Sequence, residues 1–222
     1  MATAGLIRQA LAGAENYLSN WRSWEDSDKK DLGKRPERDL KMEALAQLLR
    51  GKIPAIFVAH REDDIVTVLR LGREFKLKVI LSQATEGYLV REELRRAGVP
   101  VLVGPTLQRV ATLETFNTTL ENAALLAEVG IPVAFSAGFE SYVPKNRILL
   151  FEAAVNRLGV KRALRAATLD AARILGIADR VGSLEPGKDA DLVLYDGDPF
   201  EYASHVEAVV INGEVAYRRG AK

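Results

Sequence analysis

The chain has 222 residues, 48% hydrophobic and 27% charged, with a formal net charge of +1; that length can bury a full core, and that balance excludes a disordered tail or a polyanion-binding protein. It contains no cysteine, so disulfides, thiolate metal sites and cysteine nucleophiles are excluded, and a reducing compartment fits. No stretch approaches the roughly 20 apolar residues of a membrane helix, so the expectation is a cytoplasmic protein with neither nucleic acid nor membrane as partner.

The N-terminal segment spaces Leu6, Ile7, Ala10, Leu11, Ala14, Tyr17 and Leu18 at helical intervals, with Arg8 and Glu15 between them. That pattern predicts an amphipathic helix and lacks the unbroken apolar centre of a signal peptide. Trp21 and Trp24 follow, suited to packing against a core or interface. The tract Glu25 to Arg38 mixes both charge signs and reads as a solvated loop. A second helix is expected from Asp39 to Leu49.

Four times thereafter a short apolar run leads through a turn into a helix-period segment, the signature of βα units around a parallel sheet. Pro54 to Ala59 precedes a helix carrying Ile65, Val68, Leu69 and Gly72. Lys78 to Leu81 precedes Glu86 to Ala97. Pro100 to Val103 is followed by a long loop and a helix from Leu120 to Glu128, and Pro132 to Phe135 by a helix near Asn146 to Leu158. These strands are short and mostly apolar, as strands covered on both faces must be. Lys161 to Ala167 and Leu169 to Leu175 read as two further helices, the second ended by Gly176. Asp191 to Tyr195, Val206 to Ile211 and Glu214 to Tyr217 then read as strands, with Asn212-Gly213 as a two-residue hairpin turn.

The run ALRAATLDAARILG (residues 163–176) and the tail GSLEPGKDADLVLYDGDPFEYASHVEAVVINGEVAY closely resemble the end of amidohydrolase-superfamily enzymes, in particular the imidazolonepropionase-like and prolidase-like branch. The stretch from Val58 to Leu107 is similar to the later barrel units of the same branch. The resemblance implies an α/β fold in which about four βα units correspond to the second half of a (β/α)8 barrel, followed by a small β appendage from a terminal β-sandwich. Its expected boundaries are 1–50 for N-terminal helices and polar loop, 51–176 for half-barrel units and exit helices, and 177–222 for the sandwich portion.

The resemblance also implies a site. Enzymes of this kind hold one or two divalent ions, such as zinc, with histidines and carboxylates at the C-terminal ends of barrel strands, and the ion activates a bound water. An H-x-H pair opens such a site, and this chain contains none; its two histidines are His60 and His205. His60 ends the strand PAIFVAH, where the family places its fifth-strand metal histidine. On the next strand the family's histidine precedes a threonine-glutamate pair, and here ILSQATEGY puts Gln83 in that place. On the last strand the family's catalytic aspartate position falls on Gly138, beside Ala137. Glu140 follows two residues later, and Tyr142, Lys145 and Arg147 lie where substrate-contacting loops would run; a helix start at Pro144 is the alternative for that cluster. His205 reads as structural. No cofactor is therefore expected on the chain by itself.

Four parallel strands do not close a barrel, so edges and an inner apolar face need cover. The cover is a second chain carrying the other half barrel, self-association of two copies, or the N-terminal helices folded over an open sheet. Two functions follow. The chain is the C-terminal part of a metal-dependent hydrolase of C–N bonds, or a catalytically silent scaffold that assembles with another amidohydrolase chain.

Overall fold

The computed structural model describes residues 2–27, 34–104, 106, 112–136, 154–201 and 203–220. The expected positions Ala137, Gly138, Glu140, Tyr142, Lys145 and Arg147 lie outside the described residues, as does most of the helix expected near Asn146. The chain divides into two compact units, Met1–Phe57 with Val66–Ile80 and Val58–Ile65 with Leu81–Lys222.

In the first unit, α1 (Ala2–Asp26) runs eight residues past the expected end at Leu18 and buries Leu11 and Ala14. The extension is held by side chains: Tyr17, Trp21 and Trp24 stack edge to face with centroids 6.1 and 5.7 Å apart. The Arg35 guanidinium lies 5.6 Å from both indole centroids, a cation–π contact that ties the polar tract back onto the helix. That tract is thus not wholly solvated. Its Arg38 bonds Glu43 at 2.8 Å, and Asp39 next to it caps α2 (Leu40–Leu49), accepting from the Lys41 and Met42 amides at 2.9 and 3.1 Å. Such a cap satisfies amide donors that the first helical turn otherwise leaves open.

After β1 (Ala55–Ala59) comes α3 (Glu62–Glu74), whose first turn carries Glu62, Asp63 and Asp64 against the positive end of the helix dipole. Leu11 of α1 meets Leu71 and Phe75 in a buried cluster with Ile7, Leu49, Phe57 and Leu77 packed around it. The period-3.6 faces of α1 and α3 and the period-2 face of β1 converge there, so the N-terminal helices share a core with the first βα unit.

Strand β2 (Val79–Gln83), strand β3 (Val101–Val103) and strand β4 (Val133–Phe135) follow, and the four-stranded sheet has the order β1-β2-β3-β4. Parallel pairing sets Leu81 beside Val101 and Val101 beside Val133. This in-order parallel sheet is the expected βα arrangement. Leu81, Val101, Val103 and Ala134 are at most 1% exposed, as are Leu94 of α4 (Arg91–Ala97) and Leu126 of α5 (Asn122–Glu128). The helix expected from Glu86 instead begins as a 3-10 turn over Gly87–Val90 and becomes α-helical only at Arg91. Glu86, just ahead of that turn, is tied to the α3 side by its amide, which donates to the His60 carbonyl, and by its carboxylate, which accepts from the Glu62 amide.

Beyond β4, Asn156 and Arg157 leave helical angles just before α6 (Val160–Ala167), and α7 (Leu169–Leu175) ends at Gly176 as expected. A separate antiparallel sheet, β5-β6-β7, is built from Leu192–Tyr195, Val206–Ile211 and Glu214–Arg218. Its hairpin turns on Asn212 and Gly213 with φ of 52° and 83°, the left-handed pair that matches strand twist. Among the described residues no helix is long and apolar enough to cross a membrane.

Candidate functional site at the strand ends

β1 delivers His60 immediately beyond its last residue, and β2 ends on Gln83. The backbone then turns sharply: Gln83 and Ala84 adopt φ of 74° and 48°. Neither is glycine, and a side-chain-bearing residue in the left-handed region costs roughly 1–2 kcal/mol, so other contacts must hold the turn. Three do. The Ala84 amide donates to the Ala59 carbonyl at 2.9 Å, the Glu86 amide to the His60 carbonyl at 2.8 Å, and the Asn122 side-chain amide to the Ala84 carbonyl at 2.8 Å.

This turn carries Thr85 and Glu86 inward, where they are 8% and 5% exposed. Thr85 Oγ1 sits 2.7 Å from His60 Nδ1, which fixes the ring of the half-buried histidine. Both oxygens of Glu86 are engaged: one accepts the Glu62 backbone amide at 2.8 Å and the other the Asn117 side-chain amide at 2.7 Å. The first of these places a negative charge on the N-terminus of α3, a favourable end for it. Burial, followed by the Glu86 and Glu62 carboxylates, pushes the Tyr88 phenol above its ordinary pKa, and its hydroxyl donates to the Asn117 carbonyl at 3.3 Å. Asn122 is 1% exposed, and its Oδ1 finds no donor among the described residues.

The donors among the described residues do not by themselves make up a divalent-metal centre. His60 offers one imidazole with its Nδ1 engaged, Gln83 offers an amide, and both Glu86 oxygens already accept hydrogen bonds. Among the described residues no group of three or more His, Cys, Asp or Glu side chains stands where it could hold a metal ion. The two sequence-identified residues, His60 and Gln83, stand at the ends of neighbouring strands. Thr85, Glu86, Asn117 and Asn122 complete the network and were not singled out by sequence; the only signal was the threonine-glutamate pair after Gln83. His205 is elsewhere, in the β5–β6 connection, where its amide donates to Asp196 at 2.6 Å.

The sequence profile described as the Amidohydrolase family matches residues 89–216, more than half of the chain. The chain belongs to the amidohydrolase family. An amidohydrolase from Thermotoga maritima, known as a crystal structure, is 36% identical and superposes with a TM-score of 0.91 over 98% of this chain and 56% of that one. A prolidase solved with N-methylphosphonate-L-proline superposes at a TM-score of 0.64 with 18% identity, covering 82% of this chain and 50% of that one, which speaks for the fold alone. The imidazolonepropionase of Thermoplasma acidophilum is 31% identical over 118 residues, 49% of this chain and 29% of the relative. The chain thus spans about half the length of these structures and under a third of that enzyme. This amidohydrolase-family chain carries the later βα units and the terminal sheet, and the family match begins after both His60 and Gln83.

Proposed function

We propose that the chain is a catalytically silent part of an amidohydrolase scaffold, supplying barrel units and terminal sheet without hydrolysing C–N bonds by itself. The observation that carries this reading is the committed state of the strand-end donors: His60 bonded to Thr85, and Glu86 bonded to Glu62 and Asn117. A catalytic zinc site takes three protein ligands and keeps one open position. Here His60 and Glu86 are engaged by neighbouring polar groups instead.

The names of the relatives supply test substrates, an imidazolone ring and an Xaa–Pro bond. The purified chain is loaded with zinc, desalted and assayed by elemental analysis and for turnover of imidazolonepropionate and prolyl dipeptides. Substoichiometric zinc and background turnover are expected, also for Gln83→His, because one added imidazole still leaves too few ligands. One tightly held ion per chain together with hydrolysis of either substrate would refute the reading.

A second reading keeps hydrolysis and assigns it to an assembly, with most ligands for a divalent ion such as zinc coming from another chain. The retained strand-end histidine favours it, as does edge strand β1, whose Ile56 and Val58 are 52% and 66% exposed. Cover by a second chain or a second copy predicts dimers or larger species in light scattering, and co-expression with a polypeptide bearing the earlier barrel units tests for gained turnover.

A further inference from the structure

α6 and α7 wall an open cleft of about 690 Å³ at the N-terminal ends of β3 and β4, the end of the strands opposite His60 and Gln83. Its floor is apolar, built from Pro100, Ile131, Leu158 and Ile174. Its rim is cationic: Arg162 and Arg165 from α6 and Arg173 from α7 face a single carboxylate, Asp170. Arg165 and Arg173 both converge on Asp170 Oδ1, at 3.0 and 3.3 Å. Arg162 makes no ion pair among the described residues. Three guanidiniums against one carboxylate leave an excess of positive charge over an apolar floor.

We propose that this cleft binds a small amphipathic anion, a carboxylate or phosphate monoester carrying an aryl or short alkyl body. Sites for such molecules pair an apolar wall with a few placed polar groups, and guanidinium forks suit planar oxyanions. Asp170 already occupies the position of the anionic head between two arginines. It therefore acts as an internal competitor, and the ligand head is drawn toward Arg162, the rim cation that has no carboxylate partner among the described residues.

The full chain is titrated at low salt with phenylacetate and with phenyl phosphate, followed by amide NMR shifts, with benzyl alcohol and inorganic phosphate as controls. Saturable binding is expected about tenfold tighter than for either control, because benzyl alcohol lacks the charge-assisted contact and inorganic phosphate the apolar one, and it weakens as salt screens the rim. The two ligands distinguish a carboxylate from a phosphate head. Arg162→Ala weakens binding about tenfold and Arg162→Lys less, whereas Asp170→Asn tightens it by freeing two guanidiniums. Thermal unfolding of each variant checks the fold. Equal binding of benzyl alcohol, equal binding of inorganic phosphate as an adventitious ion only, no saturable binding, or an Asp170→Asn variant that binds no better would each overturn the proposal.

Discussion

Glu86 is the polar residue on which the strand-end network depends most, and its removal gives a quantitative test. The residue is 5% exposed, and its carboxylate accepts two amide donors, at 2.8 Å from Glu62 and 2.7 Å from Asn117. Hydrogen bonds to a charged group are worth about 1.5–3 kcal/mol each, and donors left unsatisfied add to the loss. Desolvation of the carboxylate, which alanine no longer incurs, offsets part of this. The expected net destabilisation for Glu86→Ala is about 3 kcal/mol. Glu86→Gln keeps the shape and one acceptor oxygen but turns its NH₂ group toward the second donor, so about half that loss is expected. For a chain of this size, 3 kcal/mol corresponds to a melting point lowered by roughly 6–12 °C. Urea unfolding followed by circular dichroism at neutral pH measures both variants, with unchanged m-values as the sign that only stability moved. An alanine variant within about 0.5 kcal/mol of the parent, or a glutamine variant as damaged as alanine, would refute the account of Glu86 as a doubly bonded buried anion.

The other expectations concern the tail and the titrating groups. At Gly182, with φ of +94°, an added Cβ would come within 2.7 Å of Ala172 Cβ and 3.0 Å of Leu169 Cα, whereas at Gly187, with φ of +92°, it would meet nothing within 4 Å. Gly182→Ala is therefore expected to cost about 3 kcal/mol and Gly187→Ala about 1, a difference that thermal denaturation resolves. The Tyr88 phenol titrates above its ordinary value near 10; because the folded state holds this proton more firmly, the stability it lends is present below that value and lost as pH rises through the elevated one. Absorbance at alkaline pH should show a late-titrating tyrosine that Tyr88→Phe removes. The Asp196 carboxylate is held below its usual range first by the His205 backbone amide and then by Arg219, so its contribution is present above the usual carboxylate range and fades as pH falls through the lowered value. The protection factors of β6 amides, after correction for the intrinsic pH dependence of exchange, should fall on acidification, and Asp196→Asn should flatten that dependence.

The βα units were legible because their signals are local: short apolar runs, helical spacing and turn residues at fixed offsets. Asn212-Gly213 and Gly176 needed nothing beyond their own conformational preferences. The strand-end turn was not legible. Gln83 and Ala84 carry no left-handed signature of their own, and their φ values are imposed by partners distant in sequence, the Ala59 carbonyl and the Asn122 amide. Glu86 read as an ordinary helix start because the amides it accepts belong to Glu62 and Asn117, 24 and 31 residues away. The length of α1 was hidden for a similar reason, since its last two turns are held by stacking among Tyr17, Trp21, Trp24 and Arg35 rather than by an apolar stripe.

The strand-end architecture separates what folds from what reacts. The bonds that shape the site at β1 are the Ala59 and His60 carbonyls accepting from Ala84 and Glu86, and any residue type supplies a carbonyl. The same holds at β2, where Asn122 grips the Ala84 carbonyl rather than a side chain. The side chains of residues 60 and 83 can therefore change without opening the backbone turn, while Glu86, Asn117 and Asn122 cannot change so freely because their side chains make the bonds. A family scaffold built this way keeps its fold when ligand residues are replaced. Membership in the family and possession of a metal centre are then separate conclusions, the first resting on strands, helices and the terminal sheet, and the second on the donor atoms that His60 and Gln83 present.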